Sequence, residues 1–130
     1  MEIRRTFDII DLNVEKYPRD NMYGGKQDKE WKIFSTSEVR DNVNWVSYGL
    51  LTLGFQKGDR IANICGNKPE WNFVDMGLAQ AGFIHVPIYP TISQEEYSYI
   101  LEHSGVRAII LGNKGIFNKV KLTAEKLGLL

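Results

Sequence analysis

Between Val39 and Leu53 the apolar residues Val39, Val43, Val46, Leu50 and Leu53 recur at spacings of four, three, four and three, which is one stripe along a helix. Ser35 and Glu38 precede it in the S-x-x-E relation, in which each side chain satisfies a free backbone N–H at a helix start, and Gly54 stands where such a helix ends. A second S-x-x-E pair, Ser93 with Glu96, predicts another helix that puts Tyr97, Ile100 and Leu101 on one face and stops at Gly105. Pro69 and Glu70 suit the first turn of a helix running to about Ala81, because the missing proline N–H would have no partner there and a carboxylate favours the positive helix end. Trp71, Phe73, Val74, Met76, Leu78, Ala79 and Ala81 leave this helix little polar face, so protein should cover both its sides. A first helix, capped by Thr6 or Asp8 and ended by Pro18, carries a looser face of Phe7, Ile10, Leu12, Val14 and Tyr17. A last one, residues 116–127, carries Phe117, Val120 and Leu127.

Short apolar runs of strand length lie between these helices, at residues 60–65, 83–87 and 107–111. The first, entered through the polar turn Lys57-Gly58-Asp59, has the composition of a central strand. Residues 21–26 and 31–34 flank Gln27-Asp28-Lys29-Glu30 as a hairpin, weakened in its first strand by Gly24-Gly25. Strands joined by helices over these lengths pair in parallel through right-handed crossovers, so the expected class is α/β, a parallel or mixed sheet with flanking helices. Residues 60–68 and 107–114 echo one another as arginine, apolar strand, then Gly-Asn-Lys opening a helix.

Composition narrows the classes. The chain has 130 residues, 43% hydrophobic, with 16 basic and 16 acidic side chains and one cysteine. A compact chain of this mass buries roughly 68% of its extended surface, enough for a core without disulfides or metal, and makes one domain at most. The charges balance in each half as well as overall, which leaves no basic face for nucleic acid. Cys65 has no second cysteine to pair with and sits in an apolar run, which fits a reducing compartment and a cytoplasmic setting. Charges fill the first six residues, so no signal peptide is expected. The uncharged run from Met76 to Gln94 contains Gly77, Gln80, Gly82, His85, Pro87 and Pro90, and is expected to be a helix, a strand and a turn rather than a transmembrane segment.

Candidate chemistry is thin. Phosphate loops are glycine-rich and open a helix, a form the two Gly-Asn-Lys turns share, but neither matches G-x-x-x-x-G-K-[ST] or G-x-G-x-x-G. They read as turns that start helices, with an anion site as the lesser alternative. His85 and His103 stand on different elements, so with one cysteine no metal site is expected. His103, in a last helical turn, complements the macrodipole, and His85 fits a hydrogen-bonded core histidine better than a catalytic one. No G-x-S-x-G surrounds Ser35, Ser37, Ser47, Ser93, Ser98 or Ser104, which sets a Ser-His-Asp triad aside. Trp71, Phe73, Tyr89, Tyr97 and Tyr99 fit core packing better than a ligand cavity.

One set of residues carries a resemblance. Leu53-Gly54, Lys57 to Ala62, Asn67-Lys68-Pro69-Glu70-Trp71, Gly77, Ala81-Gly82, Pro87-Ile88-Tyr89-Pro90-Thr91, Tyr99-Ile100-Leu101 and Ser104-Gly105 occur in an order and spacing that resemble the acyl-adenylate-forming enzymes. Pro87 to Thr91 is most similar to the long-chain fatty acid CoA ligases, and residues 31–38 resemble that family's early strand and capped helix.

The resemblance, over residues 6–111, implies a full enzyme that activates a fatty acid with ATP and Mg2+ to acyl-AMP and pyrophosphate, then passes the acyl group to CoA. It also implies that residues 1–130 are the N-terminal portion of the AMP-binding (adenylation) domain, an incomplete part of the large domain with no second domain in this chain. The family's phosphate loop, ribose-binding carboxylate, magnesium glutamate and C-terminal lysine have no counterpart here, so Gly58, Asp59, Pro69, Trp71, Pro87 and Pro90 are expected to be scaffold positions. No catalytic, cofactor-binding or metal-binding residue is assigned, and the chain alone is expected to be an inactive fragment that self-associates through uncovered edges and faces. The alternative is a free-standing, non-catalytic α/β module for ligand binding or assembly, derived from the same family.

Overall fold

The computed structural model describes residues 1–129; Leu130 lies outside the described residues. The chain forms α1 (Asp8–Lys16), β1 (Tyr23–Gln27), β2 (Glu30–Phe34), α2 (Thr36–Thr52), β3 (Arg60–Ile64), α3 (Pro69–Ala81), β4 (Ile84–Ile88), α4 (Gln94–Ser104), β5 (Ala108–Leu111) and α5 (Lys114–Leu127). It is an α/β chain that resolves into two compact units, each discontinuous in sequence: residues 1–55 with 68–81, and residues 56–67 with 82–130.

The first unit holds α1, α2, α3 and the antiparallel hairpin β1–β2. Its core gathers Ile10, Phe34, Val39, Val43 and Phe73, with Phe34 and Phe73 edge to face at 5.0 Å. The α2 capping box forms as expected: Ser35 Oγ accepts from the Glu38 N–H at 3.2 Å, and the Glu38 carboxylate accepts from the Ser35 N–H at 2.7 Å. Of the predicted stripe, Leu53 is exposed, because the helix ends one residue before it. No residue of α3 is fully exposed, in keeping with its nearly uniform apolar composition.

α1 starts differently from expectation. Phe7 occupies the cap position without a side-chain bond, and neither Thr6 nor Asp8 caps it. Asp8 sits one position inside and turns back, accepting from the backbone N–H groups of Arg4 and Arg5 at 3.1 and 2.9 Å. Only Ile10 of the expected apolar face is buried, while Val14 and Tyr17 are exposed.

The second unit is built on a three-stranded parallel sheet in the order β4-β3-β5, so the strand expected to be central is central. α4 and α5 cover one face, packing Tyr97, Leu101, Ile116 and Val120 on Ala62, Ile64 and Ile88. α4 carries the second capping box and ends at Gly105 in the left-handed region, φ 64°. β4 runs one residue later than predicted. α5 starts at Lys114, two residues early, because Asn113 caps it by accepting from the Ile116 N–H at 2.9 Å. That start rotates Ile116 into the core and leaves Phe117 exposed, which corrects the expected apolar set.

Candidate functional site

In the second unit, the carboxyl ends of β3 and β5 lie side by side. The chain goes from β3 to β4 on one side and then across to β5 on the other, so strand order reverses at β3, the position where open α/β sheets take ligands. Gly66-Asn67 follows β3 and Gly112-Asn113 follows β5. The Gly112 N–H donates to the Ile64 carbonyl at 2.9 Å, and a Cβ on Gly112 would sit 2.9 Å from Cys65 Sγ and 3.0 Å from its Cα. Glycine is therefore required for the two strand ends to close up. Asn113 spends its carboxamide oxygen on capping α5. This edge has the topology of a site, with the Asn113 side chain committed to structure. Asp59, at the opposite end of β3, accepts from the Gln56 N–H and the Arg107 guanidinium, both at distances of 2.8 Å or less, and these bonds hold its carboxyl below the usual carboxylate range.

In the first unit a cleft of about 390 Å³ lies where α1, α2 and α3 meet. Arg40 pairs with Asp11, and its Nη1 donates to Gln80 Oε1 at 2.9 Å and Asn44 Oδ1 at 3.3 Å. Gln80 Nε2 donates to Ser47 Oγ at 2.7 Å and Asn44 Oδ1 at 3.1 Å, and Ser47 Oγ donates to the Gly77 carbonyl at 2.7 Å. A network bonded internally in this way ties helices together more readily than it receives a ligand. Sequence reasoning missed it, since Ser47 and Gln80 carry no motif; Ser47 lying on the buried side of the α2 stripe was the available signal. A smaller cleft of about 160 Å³ brings Lys26, Lys32 and Lys68 near the start of α3, where Gly25 packs on Pro69.

The other residues singled out in the sequence disperse. Phe73 and Tyr97 are buried, each in the core of its own unit, and Trp71 is half-buried, whereas Tyr89 and Tyr99 are exposed, which corrects the core packing expected of them. His103 stacks on Tyr99 at 5.4 Å, and His85 is half-buried on β4. Ser35 and Ser93 cap helices, and Ser98 shares a 2.9 Å hydrogen bond with Thr123. Burial pushes the Tyr97 phenol up. Among the described residues no three His, Cys, Asp or Glu side chains gather as a metal centre, and no helix is long and apolar enough to cross a membrane.

Comparison with known proteins agrees with the topology. The profile of the AMP-binding enzyme family matches residues 10–128. The chain is 31% identical over 108 residues to the long-chain-fatty-acid–CoA ligase FadD15 of Mycobacterium bovis, a match covering 80% of this chain and 18% of the relative. It is 28% identical over 121 residues to fatty acyl-CoA synthetase A of Dictyostelium discoideum, covering 86% of this chain and again 18% of the relative. The chain thus spans about a fifth of the length of these curated relatives. Among solved structures, the anthranilate CoA ligase AuaEII in complex with anthranoyl-AMP superposes with TM-score 0.81 at 22% identity, over 98% of this chain and 24% of that one. VinN with L-aspartate superposes with TM-score 0.82 at 16% identity, over 94% and 30%.

Proposed function

We propose, since the chain belongs to the AMP-binding enzyme family, that it forms the amino-terminal portion of the adenylation domain of a long-chain fatty acid CoA ligase and serves there as scaffold. The carrying observation is the family match from residue 10 to residue 128 on a parallel β4-β3-β5 sheet, in a chain spanning 18% of its curated relatives. The names of those relatives and the Pro87-Ile88-Tyr89-Pro90-Thr91 string support a long-chain fatty acid as the substrate of the whole enzyme. That enzyme would use ATP to make the carboxylate an electrophile, with AMP as leaving group and the CoA thiol as acceptor.

Among the described residues no three His, Cys, Asp or Glu side chains gather, and no step of the reaction is assigned to them. Their work is architectural: β3 sets the sheet, and the turns after β3 and β5 hold its carboxyl edge. We place the protein in the cytoplasm, on the strength of its single thiol, and infer that the chain by itself associates with copies of itself through uncovered sheet edges and apolar helix faces.

Residues 1–130 incubated with ATP, Mg2+ and palmitate should release no pyrophosphate and form no acyl-adenylate, whereas the native gene product should do both. Turnover by the 130-residue chain would overturn the scaffold reading. Intact-mass measurement of the protein from its native cell should give several times 14.9 kDa. A mass of 14.9 kDa would favour the free-standing module instead.

A further inference from the structure

α4 and α5 lie side by side on one face of the sheet, and the hydrogen bond shared by Ser98 and Thr123 sets the two helices level at those residues. α4 returns the chain from β4 to the start of β5, and α5 folds back along β5, so the two helices run the same way. Their outer surfaces carry opposite charge. α4 has Glu95, Glu96 and Glu102 with no lysine or arginine, whereas α5 has Lys114, Lys119, Lys121 and Lys126 against Glu125 alone. The Glu96 carboxylate is taken up by its capping box. Glu95, Glu102, Lys119, Lys121 and Lys126 stand exposed, and among the described residues their side chains make no ion pair or hydrogen bond. Apolar side chains stand between them: Tyr99 is 66% exposed and Leu122 62%. Counted from Ser98 and Thr123, Glu95 is level with Lys119 and Lys121 to within one residue, as Glu102 is with Lys126.

We propose that this face is where two copies of the chain meet, about a two-fold axis running along the groove between α4 and α5. Such an axis lays α4 of each copy on α5 of the other and keeps every residue at its own level. Glu95 then faces Lys119 and Lys121 of the partner subunit, Glu102 faces Lys126 of the partner subunit, and Tyr99 comes over the partner's Leu122. A two-fold axis across the helices would instead set α4 on α4 and α5 on α5, like charge on like, which is costly. Segregation of sign between two adjacent helices thus names a second copy as the occupant and selects its arrangement. The pairing deepens the self-association inferred above and rests on it. Exposed ion pairs contribute little each, so the dimer is weak and salt loosens it.

In sedimentation velocity, residues 1–130 should pass from monomer to dimer between micromolar and millimolar concentration, and added salt should move that transition upward. Glu95→Lys with Glu102→Lys makes both helices basic, and Lys119→Glu with Lys126→Glu makes both acidic. Each double variant alone should dimerise on the order of a hundredfold more weakly, and an equimolar mixture of the two should recover the unaltered strength. Circular dichroism reports whether each remains folded. If either unfolds, carbodiimide coupling in a mixture of isotope-labelled and unlabelled chain decides: coupled peptides should join α4 glutamates of one copy to α5 lysines of the other, and coupling confined to single copies overturns the pairing. Dimers that the variants do not weaken, or variants whose mixture recovers nothing, also overturn it and leave self-association standing. A chain that stays monomeric throughout overturns both. The scaffold reading is decided separately, by turnover.

Discussion

Asp8 is buried and charged at once, and its surroundings explain how. Its carboxylate accepts from the Arg5 guanidinium at 2.7 Å and from the backbone N–H groups of Arg4 and Arg5, and the Arg5 bond does most to lower its pKa from 3.8 to about 2. A depressed carboxylate pKa contributes stability that is present above the unfolded value and is lost as pH falls toward the folded one. The stability due to Asp8 should therefore disappear between about pH 4 and pH 2. Asp8→Asn should lower the melting temperature at neutral pH and flatten its acid dependence across that window, as read by thermal melts at stepped pH. The sequence offered Asp8 as a helix cap; its role depends on where the chain before it lies, which periodicity does not report. Gly77 makes the same point. In sequence it is a helix-interior glycine that alanine would improve by roughly 1 kcal/mol. In the structure a Cβ there would stand 2.7 Å from Val46 and 2.9 Å from the Val43 carbonyl, and overpacking of that kind costs about 1–3 kcal/mol. Gly77→Ala is expected to be a net loss on the order of 1 kcal/mol in urea unfolding.

At the scale of elements, the β1–β2 hairpin closes through two residues, Asp28 and Lys29, at φ 50° and 69°. Such turns suit the twist of the strands but favour Asn-Gly, and a lysine in the left-handed region costs about 1–2 kcal/mol. Lys29→Gly should raise stability by about 1 kcal/mol in denaturant titration, with the register Gln27 to Glu30 unchanged. The sequence placed this turn within four residues, yet the left-handed geometry was hidden because neither residue is a glycine. The two capping boxes were legible to the residue, since both partners of each bond lie within one helical turn. α5 was less so: Ile116 and Phe117 are both apolar, and which one enters the core depends on where Asn113 starts the helix.

At the scale of the molecule, the two units interleave along the chain, since α3 belongs with residues 1–55 although it connects β3 to β4. The absence of turnover expected of residues 1–130 belongs to this scale, because Asn113, Ser47 and Gln80 are engaged in holding helices rather than converging on a reactant. By itself the sequence determined the elements, the parallel α/β class and the family, because stripes, caps and ordered motifs are written in residues close together in the chain. Only the tertiary structure decided the strand order β4-β3-β5, the need for glycine at positions 77 and 112, the Arg40 network and the open edge of β5. Each of these rests on groups distant in sequence brought into contact, and local pattern does not specify which distant groups will meet.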